Sequence, residues 1–508
     1  MSFLNIDQIE AYVFDKHELQ ICEEQFLHLK NSFSFLSKFC SDKIIYGINT
    51  GFGPMAQFNI SKGDLNQLQY NLIRSHSSGM GEPLSELYTR AVLLARINNF
   101  LQGNSGISPE VVETLLSFLN KQIHVEIFEH GGVGASGDLV QLAHLALNLI
   151  GEGHLFENEK RVKASELLKK KGIQPLKIQL RDALGIMNGT SCMTGIASVN
   201  VIYSKRLMEW AIVTSSILNE LMEAYDDSFS VELNSTKKHI GQQEVANRMR
   251  KLLSDSKLIK SRATLYSNKK EKENSEFSHK IQEFYSLRCV PQILGPIWDT
   301  IEYTQRVVEN EINSTNDNPI VSLENENVFH GGNFHGDYIS LEMDKLKIVL
   351  CKLSMLAERQ LNFLMNHKIN EKFPPFLNGK KLGFNFGIQG IQFTAVSTTA
   401  ENQTLSNPMY VHSISNNNDN QDIVSMGTNS AIQCKKVLDN SFQVMAIHLV
   451  AICQAIDLLN ENQKKCLSSS ANSIYQETRK IFPKMNEDFV SSDFLKSIVE
   501  YIKNKKIA

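Results

Sequence analysis

Proline decides where a helix cannot run, and this chain keeps it out of two long stretches. Its eleven prolines leave none between Pro175 and Pro291 and none between Pro408 and Pro483. Inside a helix, proline removes a hydrogen bond and clashes with the preceding turn, so stretches free of it predict long helices. The apolar pattern points the same way. Leu346, Val349, Leu350, Leu353, Leu356 and Leu364 recur mostly at helical spacing, as do Leu207, Trp210, Val213 and Leu218, and stripes of this kind pack into bundles. The expected fold is mainly α: a loop-rich N-terminal part over residues 1–200, then a long-helix bundle over 201–508.

The length of 508 residues and 42% hydrophobic content suffice for a large core. A formal charge of −3 gives no pull toward nucleic acid or an anionic membrane, so a small-molecule partner is expected. Eight cysteines without a C-x-x-C pair read as reduced thiols of a cytoplasmic protein. Residues 1–20 lack the basic segment of a signal peptide. The apolar stretch 444–459 is shorter than a bilayer span and carries His448 and Asp457, which predicts a core helix and no transmembrane segment.

Glycine and proline gather instead at residues 47–54, 131–137, 331–336 and 374–390. Glycine-rich connections between rigid helices are places where reactive groups are held. Two polar stretches, 269–273 and 416–422, are expected as a solvated loop and an irregular loop.

The most informative segment runs from residue 122 to 150. An alternating Ile123, Val125, Ile127 run precedes Gly131-Gly132-Val133-Gly134-Ala135-Ser136-Gly137-Asp138, and an apolar helical pattern follows from Leu139. Three readings compete. Gly132, Gly134 and Gly137 match G-x-G-x-x-G, with Glu152 about 20 residues on where a dinucleotide's ribose contact belongs; the rest of the chain lacks the alternating strands and helices such a fold needs. A serine nucleophile elbow is excluded because Asp138 stands where G-x-S-x-G requires glycine. The third reading is chemical. Attack of the Gly137 nitrogen on the Ala135 carbonyl, with loss of two waters, turns Ser136 into the alkene of a five-membered methylidene-imidazolone ring. Gly137 permits the tight turn. Asp138 is placed to move protons during closure or to N-cap the helix beginning at Leu139.

Tyr46-Gly47-Ile48-Asn49-Thr50-Gly51-Phe52-Gly53, Gly134-Ala135-Ser136-Gly137-Asp138-Leu139, Asn188-Gly189-Thr190, Tyr285-Ser286-Leu287-Arg288-Cys289, Asn333-Phe334-His335 and Asn420-Gln421-Asp422 fall in the order found in the histidine and phenylalanine ammonia-lyase family, which the chain resembles over essentially its whole length. The resemblance implies the self-made methylidene-imidazolone (MIO) from Ala135, Ser136 and Gly137, with no metal or nucleotide, and a homotetramer whose active sites each draw on three subunits. It implies Tyr46 as the base, in a glycine-rich loop able to exclude water. A phenol with a reference pKa of about 10 needs donors or positive charge nearby to serve in that role. Arg288 offers a planar fork for the substrate carboxylate. By matching position, Tyr285 stands near the ring, Asn188 and Gln282 hydrogen-bond the ring or the amino group, and Phe334 lines the pocket. His330, His335 and Asp337 fit no standard metal-ligand spacing, so a packed or solvated role is expected for them.

Ser75 and His76 are expected to face the substrate side chain. Ser-His there looks like histidine ammonia-lyases and like a subset of bacterial tyrosine ammonia-lyases. Where histidine-specific members place Met and Glu around the imidazole, the register puts Gln389 and Gln421 here. A glutamine cannot stabilise an imidazole proton with charge, so the expected reaction is L-tyrosine to trans-p-coumarate and ammonia. The alternatives are L-histidine deamination, then tyrosine 2,3-aminomutase chemistry, and distantly a nucleotide-binding oxidoreductase.

Overall fold

The computed structural model describes residues 3–266, 277 and 280–507; the expected loop at 269–273 lies outside them. The fold is mainly helical, and its four longest helices are Ser191–Leu221, Val290–Ile312, Asp337–Met365 and Gly427–Leu458. Leu207, Trp210, Val213 and Leu218 are buried, as are Leu346, Leu350, Leu353, Leu356 and Leu364, so both stripes do the packing their spacing predicts. Full burial of one such side chain contributes about 1.5–3 kcal/mol. The Trp210 indole N–H donates to the Ile502 carbonyl at 2.9 Å, which keeps that ring's one donor satisfied in the core.

Proline marks helix ends less strictly than expected. Val290–Ile312 takes Pro291 into its first turn, where the missing N–H costs nothing, and also carries Pro296 in its interior. The apolar stretch 444–459 belongs to Gly427–Leu458, which by length and composition is able to cross a membrane, and 89% of its most apolar window is buried inside the protein. All eight cysteines are free; Cys192, Cys351, Cys434 and Cys453 are buried and Cys22 is exposed.

The chain divides into two compact units. The first comprises residues 1–202 with 304–344 and 408–435, and the second comprises 203–303, 345–407 and 436–508. The strands are short and every named pairing is antiparallel: Met80–Pro83 with Phe128–His130, His154–Glu157 with both His124–Val125 and Lys160–Lys163, and Ile320–Ser322 with Asn327–Phe329. The alternating run at 123–127 holds only the two-residue strand His124–Val125 and leads into Phe128–His130, with Ile123, Val125 and Ile127 all buried. This is not a parallel, doubly wound sheet. Glu152, the candidate ribose contact, is bound instead by Arg74, at 3.0 Å from Nε and 2.7 Å from Nη2. The dinucleotide reading ends there.

Candidate active site

In the first unit, three of the four glycine-rich segments converge on one cavity of about 860 Å³. Its wall includes Gly53 from the first segment and Tyr46 just before it, Ser136 from the second, and Gly331 and Phe334 from the third. The polar loop at 416–422 closes another side through Asn417, Asn418, Asn420 and Gln421. Asn417, Asn418 and Asp419 all adopt positive φ, which fits the asparagine-rich sequence of that turn.

The serine loop is held on several sides. The Val133 carbonyl accepts from Met426 N at 2.9 Å, and the Gly134 carbonyl accepts from Gly336 N and Ser425 Oγ, both at 3.0 Å. Ser136 presents its carbonyl to Asn188 Nδ2 at 3.1 Å, and its hydroxyl accepts from Gln421 Nε2 at 2.8 Å. Gly137 has φ +70°, and a Cβ there would lie 2.0 Å from the Gly189 carbonyl oxygen. Glycine is required at this position on both counts.

Asp138 is fully buried, and the structure corrects the capping role considered for it. It occupies the N-cap of Leu139–Leu149 without a side-chain cap bond. Its carboxylate accepts instead from Met193 N at 2.9 Å, in the first turn of Ser191–Leu221, and from the Thr428 hydroxyl. Burial pushes this carboxyl from 3.8 up to about 6, against hydrogen bonds from Thr428, Met193 and Cys192 and the attraction of Arg96. Because the folded value lies above the unfolded one, Asp138 contributes stability below about pH 4 that is lost as pH rises through about 6. Asp138→Asn is expected to remove this contribution: relative to the parent, the variant's melting temperature rises between about pH 4 and 7. An offset that does not change with pH would contradict it.

Tyr46 faces the cavity; its hydroxyl accepts from Gly53 N at 3.1 Å, and its ring stands edge-on to Phe52. His76 and Ser75 line the same space. His76 Nδ1 lies 3.1 Å from the Leu72 carbonyl and 3.0 Å from Ser75 Oγ. A carbonyl only accepts, so a neutral His76 carries its proton on Nδ1 and offers Nε2 as an acceptor. Asn188 lines the cavity too; its Oδ1 is buried with no hydrogen-bond partner among the described residues.

The structure does not bring all the expected residues to this wall. Gln282, Tyr285, Arg288 and Gln389 belong to the second unit and do not line the cavity. There Arg288 donates to Gln282 Oε1 and lies over the Tyr285 ring, 4.6 Å from its centroid. Tyr285 is 70% exposed. His330 was expected to be packed or solvated, and it lines the cavity with Asn318. Only the folded arrangement reveals both, because neither stands in a motif that marks it. His335 Nδ1 lies 3.3 Å from Asp337, and no group of three metal-ligating side chains occurs among the described residues.

The chain matches the model of the family described as aromatic amino acid lyase over residues 4–480. It is 36% identical over 507 residues to a histidine ammonia-lyase of Bacillus subtilis (strain 168), covering 100% of this chain and 96% of that one. It is 37% identical over 453 residues to a tyrosine 2,3-aminomutase of Myxococcus sp. (strain Mx-B0), covering 87% and 85%. A crystal structure of tyrosine aminomutase from Streptomyces globisporus superimposes with a TM-score of 0.94 at 32% identity, over 99% of this chain and 95% of that one. The chain belongs to the aromatic amino acid lyase family. It is a carbon–nitrogen lyase, and its reaction is deamination of an aromatic amino acid.

Proposed function

We propose that the chain converts L-tyrosine to trans-p-coumarate and ammonia. The supporting observation is the cavity wall: its described lining residues include no Asp or Glu, and Gln421 stands beside Ser136. A neutral phenol is compatible with such a wall, whereas an imidazole substrate is best served by a carboxylate partner. The acceptor at His76 Nε2 suits a phenol hydroxyl. A site built to bond that hydroxyl rejects the analogue lacking it by about 10⁴-fold or more.

The names of the relatives favour the second reading, L-histidine deamination, and back it better than they back tyrosine. Steady-state rates with tyrosine, histidine and phenylalanine separate the two, and a kcat/KM highest for histidine would overturn the tyrosine reading. Gln421→Glu is expected to move the tyrosine-to-histidine preference toward histidine; an unchanged ratio would remove Gln421 from selectivity. Product analysis for β-tyrosine tests the aminomutase alternative.

The residues around Ser136 fit an MIO ring: Gly137 sits where any side chain would strike Gly189, and Asn188 holds a buried, unpartnered Oδ1 beside it. Once formed, the ring supplies an electrophilic alkene. Tyr46 removes the β-proton, and the glycine-rich turn that carries it helps exclude water. Asn188, which bonds the Ser136 carbonyl, holds the ring or the amino group, while Phe334, Ser75, His76 and Gln421 orient the side chain. The described cavity wall offers no Arg or Lys for the substrate carboxylate. We therefore assign that task to Arg288, delivered by another copy in a homotetramer; Gln282 and Tyr285, beside the ring or the amino group, and Gln389, beside the substrate side chain, are likewise supplied by other copies. Sedimentation checks this: an active monomer would contradict it.

A further inference from the structure

Closing a ring over residues 135–137 makes one demand on the backbone: the Gly137 nitrogen must be held against the Ala135 carbonyl carbon. A free loop loses that geometry to conformational entropy. Here the loop rests on Asn188-Gly189-Thr190, a three-residue strip between the helices Asp182–Met187 and Ser191–Leu221. Gly137 and Gly189 form a parallel bridge. The Ser136 carbonyl accepts from Asn188 Nδ2 at 3.1 Å and from Gly189 N at 3.4 Å, and Asp138 N donates to the Gly189 carbonyl at 2.8 Å. The strip therefore grips the chain on both sides of Gly137.

The strip is held in turn from the helix Glu86–Leu101. Arg96 on this helix is completely buried. Its Nη1 donates to the Asn188 carbonyl at 3.0 Å, and its Nη2 donates to Asn99 Oδ1. Asn99 Nδ2 donates to the Ser314 carbonyl at 3.0 Å and to Asn316 Oδ1 at 3.2 Å, and that same oxygen accepts from Thr190 N at 3.4 Å. Arg96 thus reaches both ends of the strip, Asn188 directly and Thr190 through Asn99 and Asn316. Between them Gly189, at φ +136°, passes so close that a Cβ would lie 2.5 Å from Arg96 Nη1 and 2.7 Å from Asn316 Oδ1. Taking a guanidinium out of water is costly, and the two oxygens that accept from this one are neutral. Its planar fork is what lets one side chain bridge two acceptors at fixed angles.

We propose that Arg96 is a positioning residue for maturation: by fixing the Asn188-Gly189-Thr190 strip, it holds residues 135–137 in the geometry that closes the ring. The inference rests on the reading of Ala135, Ser136 and Gly137 as the MIO precursor. Closure forms the bond from Gly137 N to the Ala135 carbonyl carbon. The Ala135 oxygen leaves as water with the amide protons of Gly137 and Ser136, and the Ser136 hydroxyl leaves as a second water with the Ser136 Cα proton. No oxidant or other reactant is required. Loss of the Cα proton places developing negative charge on the Ser136 carbonyl oxygen, where Asn188 Nδ2 and Gly189 N already point. A displaced strip therefore withdraws both donors at once and loosens the turn.

The test reads mass rather than turnover. Full-length parent, Arg96→Lys and Arg96→Met are purified as folded protein at matched times after the start of expression, and the peptide containing residues 135–137 is weighed alongside melting curves. In Arg96→Met the loss of two waters is expected to be slower by about tenfold or more, so that folded protein keeps a peptide of full mass when the parent's is already converted. Arg96→Lys retains a donor for the Asn188 carbonyl without the fork and should fall between the two. A folded Arg96→Met whose peptide loses its waters as fast as the parent's overturns the proposal and leaves Arg96 a packing residue. If Arg96→Met does not fold, Asn99→Ala decides: it cuts the link to Asn316 while Arg96 stays, and its folded protein should also convert more slowly, whereas conversion at the parent's rate overturns the proposal. An unmodified peptide in fully active parent would remove the MIO reading itself, and this inference with it.

Discussion

Ser136→Ala is expected to lower kcat by at least about 10³-fold while leaving the fold intact, a larger loss than removal of one preorganised electrostatic group produces. The reasoning is local. The hydroxyl of Ser136 is half-buried, faces the cavity and accepts a single side-chain bond from Gln421. Its deletion removes the atom whose departure creates the alkene and disturbs little packing. Circular dichroism and melting curves should therefore resemble the parent's while turnover vanishes. Retention of even a tenth of the parent's activity would contradict the assignment, since no other group on the described wall offers a comparable electrophile.

Tyr46→Phe is expected to lower kcat/KM by about 10²–10⁴-fold, the range for loss of a positioned general base. The change leaves the ring's edge-on contact with Phe52 in place and gives up one hydrogen bond, from Gly53 N. The stability cost of that bond is about 1 kcal/mol, too small to explain such a loss through unfolding. Binding of a substrate analogue should survive. If affinity falls as steeply as turnover, Tyr46 holds the substrate and another group takes the proton.

Much of the fold was legible in the sequence because long helices announce themselves in two independent ways, through absent prolines and through apolar spacing. Leu207 and Trp210 stand where both signals agree, Leu346 and Leu350 where the apolar spacing alone speaks, and all are buried. The G-x-G-x-x-G match was misleading for a physical reason: glycines at Gly134 and Gly137 are demanded by close contacts with Ser425 and Gly189, and the same spacing arises wherever a backbone must pass close to its neighbours. Asp138 could be read locally only as a cap, because its real partners, Met193 and Thr428, lie 55 and 290 residues away. His330 was legible as a histidine but not as part of a wall, since that depends on Asn318 fixing the backbone at Gly331.

The central claim is that residues 135–137 condense to make the reactive group. Mass spectrometry of the tryptic peptide containing Ala135, Ser136 and Gly137, from fully active enzyme, tests it directly. The expected peptide is lighter than its sequence by two waters; a peptide of unmodified mass from enzyme at full activity would contradict it.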